Sequence, residues 1–331
     1  MNSRNNQMTR RRLLAAGVAC AATAASLPAV AQLGTSGTGI RMVVPFAAGG
    51  GSDVIARLVA DGLREALQEP VIVDNRAGAG GNIGTAAVAK AEADGRTLLF
   101  TPQSPITIAH LLEPKPSFDA QKDLVPVAIM ARTPLVLLVH AAVPANSMAE
   151  LVALSKAKPG SLFYGSPSPE FAFTTELLAR ESGLQMTGVP YRGSAPALTD
   201  LIGGSIQVLL SSAGAAKAQL KDGKVKAFAL VGAARSADFP GVPTTEELGL
   251  RNFRVFGWFG LFAPARTPEA VLQRLSAAAV SLGANPAHRA KLAAAGYEAL
   301  AMDRAQSRIA VDEHRAIWKT VAPRVSAKLT S

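Results

Sequence analysis

The chain has 331 residues and a single cysteine, Cys20, which falls in an N-terminal stretch that reads as removable. No disulfide framework and no thiol chemistry are therefore expected of the working protein. Histidine is scarce: His110, His140, His288 and His314 are the complete set. None stands at i, i+4 from another or within a short Cys/His cluster, so no metal and no cofactor are expected. His288 and His314 are expected as solvated residues of C-terminal helices. Asp312-Glu313-His314 is no triad, because adjacent helical residues point in different directions. There is no Gly-Lys-Ser/Thr after a glycine loop and no G-x-S-x-G elbow. Without a nucleophile and a base, the chain reads as a binding protein and not an enzyme; an exported hydrolase is the least favoured alternative.

Aromatics make up only 5%, while hydrophobic residues reach 49% and charged ones 18%. That balance describes a globular chain with a sizeable core. The net charge of +10 includes four arginines at the N-terminus, Arg4, Arg10, Arg11 and Arg12, whose removal leaves +6. The remaining basic residues are scattered, which argues against nucleic acid as a partner and allows a mild preference for anionic solutes.

Thr9-Arg10-Arg11-Arg12-Leu13-Leu14 fits the twin-arginine export pattern. An Ala-rich apolar stretch follows, and Ala29-Val30-Ala31 offers small residues for cleavage. Pro28 and the weak hydrophobicity argue against a membrane anchor, and Gly17 before Cys20 argues against lipidation. Residues 1–31 are read as a signal peptide cleaved before Gln32, and 32–39 as a flexible leader, giving a periplasmic protein.

What the sequence does have is a strand-to-helix junction built of three glycines. In VVPFAAGGGSDVIARLVADGL a β-branched run breaks at Gly49, Gly50 and Gly51 and becomes an amphipathic helix. The pattern then repeats: PVIVDN runs into AGAGGNIG and a second helix. Strands are expected at Ile40–Phe46, Pro70–Asn75 and Thr97–Thr101, with a helix over Ser52–Gln68. Two such units imply right-handed βαβ crossovers and a largely parallel sheet whose strand ends carry both glycine loops. The spacing Gly78-x-Gly80-x-x-x-Gly84 resembles a dinucleotide fingerprint, but the following strand ends in Phe100-Thr101 without the required acid.

A second set follows, with strands at Val136–His140, Leu162–Gly165, Gly188–Tyr191, Ile206–Ser211 and Ala227–Val231. Helices are expected at Met148–Lys156, Pro169–Ser182 (closed by Gly183) and Pro196–Ile202, the last with Ser194 as N-cap. The strand Phe253–Phe262 then precedes three helices, the first capped at Thr267-Pro268. The reading is two α/β lobes, 40–134 with 253–331 and 135–252, joined by crossovers near 132–138 and 253–262.

Five motifs, in order and spacing, resemble the Bug family, the extracytoplasmic solute-binding components of tripartite tricarboxylate transporters. They are Val44-Pro45-Phe46 with Gly49-Gly50-x-x-Asp53; Asn75-Arg76-x-Gly78-Ala79-Gly80-Gly81-Asn82-Ile83-Gly84; Asp94-Gly95; Val189 to Leu198; and Trp258 to Pro264. The resemblance implies a periplasmic-binding-protein fold of the second type, each lobe a mostly parallel sheet flanked by helices, with two crossover strands. It implies a monomer that holds a small carboxylate between the lobes and passes it to transporter membrane subunits, or alternatively presents it to a receptor kinase. The implied ligand contacts are Phe46, Ala48, Gly49, Gly50, Ser52, Gly80, Asn82, Gln103 and Ser104 from the first lobe. From the second come Ser166, Ser168, Tyr191, Arg192, Gly193 and Ser211.

Asp53 has two readings, a first-turn acid opposing the helix dipole or a group that orients the loop amides. Tyr191 donates to the ligand or only walls the cleft. Arg192 balances ligand charge or is a solvated surface arginine. Trp258 is expected in core or hinge packing. Two departures from the family concern the second lobe: the segment Gly165 to Phe173 is short and carries Pro167 and Pro169, and Ser211 stands where relatives often have Asp. Both reduce polar capacity and favour a carboxylate with an aromatic or less polar far end. Phe171 and Phe173 either line that end or belong to the core.

Overall fold

The computed structural model describes residues 39–112, 117–233, 235–250, 253 and 255–329, all within the compact unit that begins at Gly39. The proposed signal peptide and residues 32–38 of the leader lie outside the described residues. The chain opens with β1 (Ile40–Val44), α1 (Gly51–Leu67), β2 (Val71–Asn75), α2 (Asn82–Ala89) and β3 (Thr97–Pro102). Two short helices, α3 (Ser104–Thr107) and α4 (Ala109–Leu112), lead to β4 (Leu124–Thr133). The strands β10 (Gly257–Pro264) and β11 (Glu298–Met302) complete a six-stranded sheet in the order β11-β4-β10-β3-β1-β2.

The second sheet holds β5 (Leu135–His140), β6 (Phe163–Ser166), β7 (Thr187–Pro190), β8 (Val208–Ser212) and β9 (Val225–Leu230), ordered β7-β6-β8-β5-β9. Its helices are α5 (Met148–Ala157), α6 (Pro169–Ser182), α7 (Ser194–Gly203) and α8 (Ala213–Leu220). The chain ends in α9 (Glu269–Ala284), α10 (Pro286–Ala294) and α11 (Arg304–Leu329).

Both sheets are mixed where mostly parallel sheets were expected. β1 runs parallel to β2 and β3, and β6 parallel to β7 and β8. The strands that receive the chain after a crossover, β5 and β10, run against both neighbours. The first crossover is one residue, Pro134, between β4 and β5; the second occupies 231–256. β4 was not expected because Pro126 interrupts its pattern. The strand tolerates that proline beside a bulge of its own: Phe262 faces Pro126 and Leu261 faces Ala128, so Val127 is the extra residue.

Apolar spacing sets the core. Ile55, Val59, Leu63 and Leu67 of α1 recur one turn apart and bury against Ile40, Met42 and Val44 on one face of β1. Val43 points the other way and meets Val88, Leu99 and Ile129. Burial on both faces explains why these strands read as continuous hydrophobic runs. In α11, Ala310 and Val311 bury with the first sheet's second face, whereas Trp318, Val321 and Val325 join the core of the second sheet. One helix therefore packs on both sheets.

Several local expectations are corrected. The N-cap of α7 is Gly193, at φ 127°, and Ser194 is already helical without a capping hydrogen bond. Pro268 occupies the cap position of α9, and the Thr267 hydroxyl donates back to the Pro264 carbonyl at 2.8 Å. His288 and His314 are 5% and 1% exposed, not solvated. The His314 ring packs edge-on to Phe256 and Trp318, with centroids 5.1 and 6.1 Å away, and its Nδ1 accepts from Trp258 Nε1 at 3.1 Å. Burial pushes its pKa down to about 3.

The unfolded chain takes up a proton at His314 near pH 6.5, and the folded chain does so only near pH 3. Stability should therefore rise with pH between those values, by at most about 1.4 kcal/mol per unit. Urea unfolding across this range should show that component in the wild type and not in His314→Gln.

Candidate ligand-binding cleft

The loop between β1 and α1 is held by a buried carboxylate. Asp53, 4% exposed, accepts from Gly49 N at 2.9 Å and from Arg57 Nε at 3.0 Å through Oδ2. Its pKa is lowered chiefly by the Arg57 hydrogen bond, with Gly49 and Asn75 adding to the effect and burial opposing it. The Gly49 amide, expected to reach a ligand, is thus spent inside the loop. Gly50 N is 3.4 Å from the Ala47 carbonyl. Among the described residues the N–H groups of Ala48, Gly51 and Ser52 have no partner. They stand at the start of a 17-residue helix, where orphan donors and the helix dipole favour an anion.

The second loop packs against the first. Asn75 Nδ2 donates to the Phe46 carbonyl at 3.1 Å, and Arg57 Nη2 reaches Asn75 Oδ1 at 3.4 Å. A Cβ on Gly81 would lie 2.8 Å from Pro105 and 3.1 Å from the Phe46 ring, so only glycine lets the three strand ends close up there. Gly49 (φ 79°) and Gly80 (φ 62°) both face open space. Asn82 begins α2, and its N–H bonds to the Ala79 carbonyl. Ser104 begins α3, partly buried. Gln103 is 1% exposed and does not reach outward: its Oε1 lies 2.8 Å from His314 Nδ1, and its Nε2 donates to Glu170 Oε1 at 2.9 Å.

On the second sheet the expected residues gather at the ends of β6, β7 and β8. The Ser166 hydroxyl is buried and donates weakly to the Ser168 carbonyl, at 3.4 Å. Ser168 caps α6 by position, but its hydroxyl makes no capping bond. The Tyr191 hydroxyl donates to Asp200 Oδ2 at 2.7 Å, and burial raises its pKa to about 12. Its proton is thus committed to Asp200. Arg192 is exposed and has no ion pair among the described residues. Ser211 is buried in β8, whereas the next residue, Ser212, caps α8 by accepting from Ala215 N at 3.5 Å. Phe173 is fully buried against Trp318, with ring centroids 5.8 Å apart, and Phe171 packs on the same core. Phe173 therefore belongs to the core, while Phe171 is partly buried against it.

Sequence reasoning missed Arg57, Asn75 and Glu170. Asn75 was readable as the polar end of VIVDN; the others act through contacts distant along the chain.

The family described as the tripartite tricarboxylate transporter family receptor matches residues 55–325. The chain belongs to this receptor family. It is 38% identical over 240 residues to protein BugT of Bordetella pertussis, covering 72% of this chain and 74% of that one. A protein from the tcbD-tcbE intergenic region of Pseudomonas sp. (strain P51) is 35% identical over 271 residues, covering 81% and 80%. Among solved structures, an R. palustris protein with adipate superposes with a TM-score of 0.75 at 30% identity, covering 88% of this chain and 99% of that one. Rhodopseudomonas palustris MatC with bound malate gives 0.70 at 31% identity, covering 86% and 98%. The receptor thus has the two-lobed periplasmic-binding-protein fold, and both sheets show its second-type strand order.

In this receptor Asp53→Ala should destabilise folding by about 1–3 kcal/mol, chiefly through the lost acceptor of Gly49. The Arg57 side chain is 56% exposed, and its share is small. Chemical denaturation of the two proteins measures the difference.

Proposed function

We propose that this receptor is a periplasmic solute-binding protein that captures one small carboxylate between its lobes for membrane subunits of a tripartite tricarboxylate-type transporter. The observation that carries this reading is the set of unpartnered amides at Ala48, Gly51 and Ser52, beside the open faces of Gly49 and Gly80. Main-chain donors at a helix start stabilise a carboxylate without a salt-bridging arginine. The relatives solved with adipate and malate support the ligand class.

The lobes are assigned to 40–134 with 253–331 and to 135–252, each carrying one sheet, and the active form to a monomer. Asp53 is assigned the loop-orienting role on the strength of its bond to Gly49. Phe46, Ser104, Ser168, Arg192 and Gly193 are assigned to the cleft wall. A ligand with a less polar far end is supported by Pro167 and Pro169, which lack N–H donors, and by the committed Tyr191 proton.

Native mass spectrometry of the protein taken from the periplasm, followed by calorimetry with a panel of mono- and dicarboxylates, tests this reading. A carboxylate should bind at one per chain. Gly80→Val should weaken binding at least about tenfold, because a β-branched side chain is strained at this φ and projects into the open face. Absence of carboxylate binding, or a Gly80→Val protein that binds as the wild type does, would overturn the proposal.

A further inference from the structure

The carboxyl group of Glu170 belongs to the first turn of α6, on the second sheet's side, yet its hydrogen-bond partner is Gln103 at the end of β3, on the first. A Cβ on Gly257, at the start of β10, would lie 3.0 Å from Glu170 Oε1. The group is therefore lodged where the chain recrosses between the sheets. It stands between the segments Gln103-Ser104 and Ser166 to Ser168, which hold first-lobe and second-lobe contacts of the proposed cleft.

No cation answers this carboxylate among the described residues. From α11, His314 is held neutral, and Arg324 faces Glu176. From β4, Arg132 is paired with Glu298. On α6 itself Arg180 is paired with Glu181. From the β3 end Gln103 donates to it, and Gly257 of β10 lies beside it. The start of α6, whose dipole would otherwise receive a second ligand carboxylate, already faces an acid of this chain, and Pro167 and Pro169 withhold two amides. Burial raises the Glu170 pKa to about 7 against the pull of the Gln103 bond.

The Gln103 amide suits both protonation states. As placed, its N–H donates to an ionised Glu170 and its Oε1 accepts from His314 Nδ1 in the tautomer that carries the proton there. Turned over, its carbonyl accepts from the carboxylic acid, and its N–H points to His314 Nδ1, the lone pair that also receives Trp258 Nε1–H.

We propose that Glu170 sets the ligand charge this cleft accepts: ionised, it disfavours a carboxylate with a second negative end and admits one whose far end is neutral or cationic. A dicarboxylate then enters only with uptake of one proton from solvent by Glu170. This rests on the reading of the cleft as a carboxylate site and names the substrate class within it.

Three six-carbon acids test it by calorimetry at pH 5.5 and 8.5: adipate, hexanoate and 6-aminohexanoate. With wild type at pH 8.5, the latter two should bind about tenfold or more tighter than adipate, and the gap should close at pH 5.5. Glu170→Gln keeps a partner for Gln103, and its fold is checked by thermal melting; with it the gap should be closed at both values. Adipate binding equally at both pH values in wild type, or a Glu170→Gln protein that retains the wild-type pattern, overturns the inference. So does failure of all three acids when other carboxylates bind and Gly80→Val abolishes that binding. If no carboxylate binds at all, the reading beneath it falls as well.

Discussion

Asp53 accepting the Gly49 N–H is the contact on which the geometry of the loop between β1 and α1 depends. A carboxylate one turn into α1 reaches back to the residue before the N-cap, so the peptide between β1 and α1 must fold over with Gly49 at φ 79°. That fold spends one amide and leaves those of Ala48, Gly51 and Ser52 pointing away. Arg57 and Asn75 carry the constraint to the end of β2, and Phe46 carries it to Gly81 and Pro105. Three strand ends are thereby fixed to one another before any ligand arrives. Preorganised dipoles of this kind recognise an anion at little reorganisation cost.

The two sheets communicate through two devices of different character. One is polar: Trp258 Nε1 and Gln103 Oε1 both meet His314 Nδ1, and Gln103 Nε2 donates on to Glu170, linking the central strand of the first sheet to the leading turn of α6. The other is apolar: α11 places Val311 among residues of the first sheet's core and Trp318 among those of the second. The apolar contact is non-directional and tolerates sliding, whereas the polar line has defined partners and fails if they separate.

Much of this architecture was legible in the sequence, for a physical reason. Doubly buried parallel strands such as Met42 to Val44 read as unbroken apolar runs, and the glycine loops mark their ends. The helix Pro169–Ser182 and its closing Gly183 were visible because proline and glycine carry positional meaning at opposite helix ends. β4 was hidden because Pro126 looks like a terminator until a bulge at the next residue, Val127, accommodates it in the ladder with β10. His314 and Gln103 were misplaced because their surroundings are assembled from segments more than two hundred residues apart. Local pattern decides which residues form an element; it does not decide which side chain closes a gap between distant elements. For the same reason Phe171 and Phe173 stayed ambiguous in the sequence; packing against Trp318 puts Phe173 in the core, and Phe171 lies partly buried at its edge.

The unequal lengths of the two connections between the sheets carry a mechanical consequence. Pro134 is one rigid residue with a fixed φ, and its carbonyl is pinned by Ala213 N at 2.8 Å. The return path spans 231–256. A body tethered short on one side and long on the other cannot part evenly. The short side is the stiffer constraint, and the described part of the long side is itself tied back to β9, where Thr245 N–H donates to the Leu230 carbonyl at 2.8 Å.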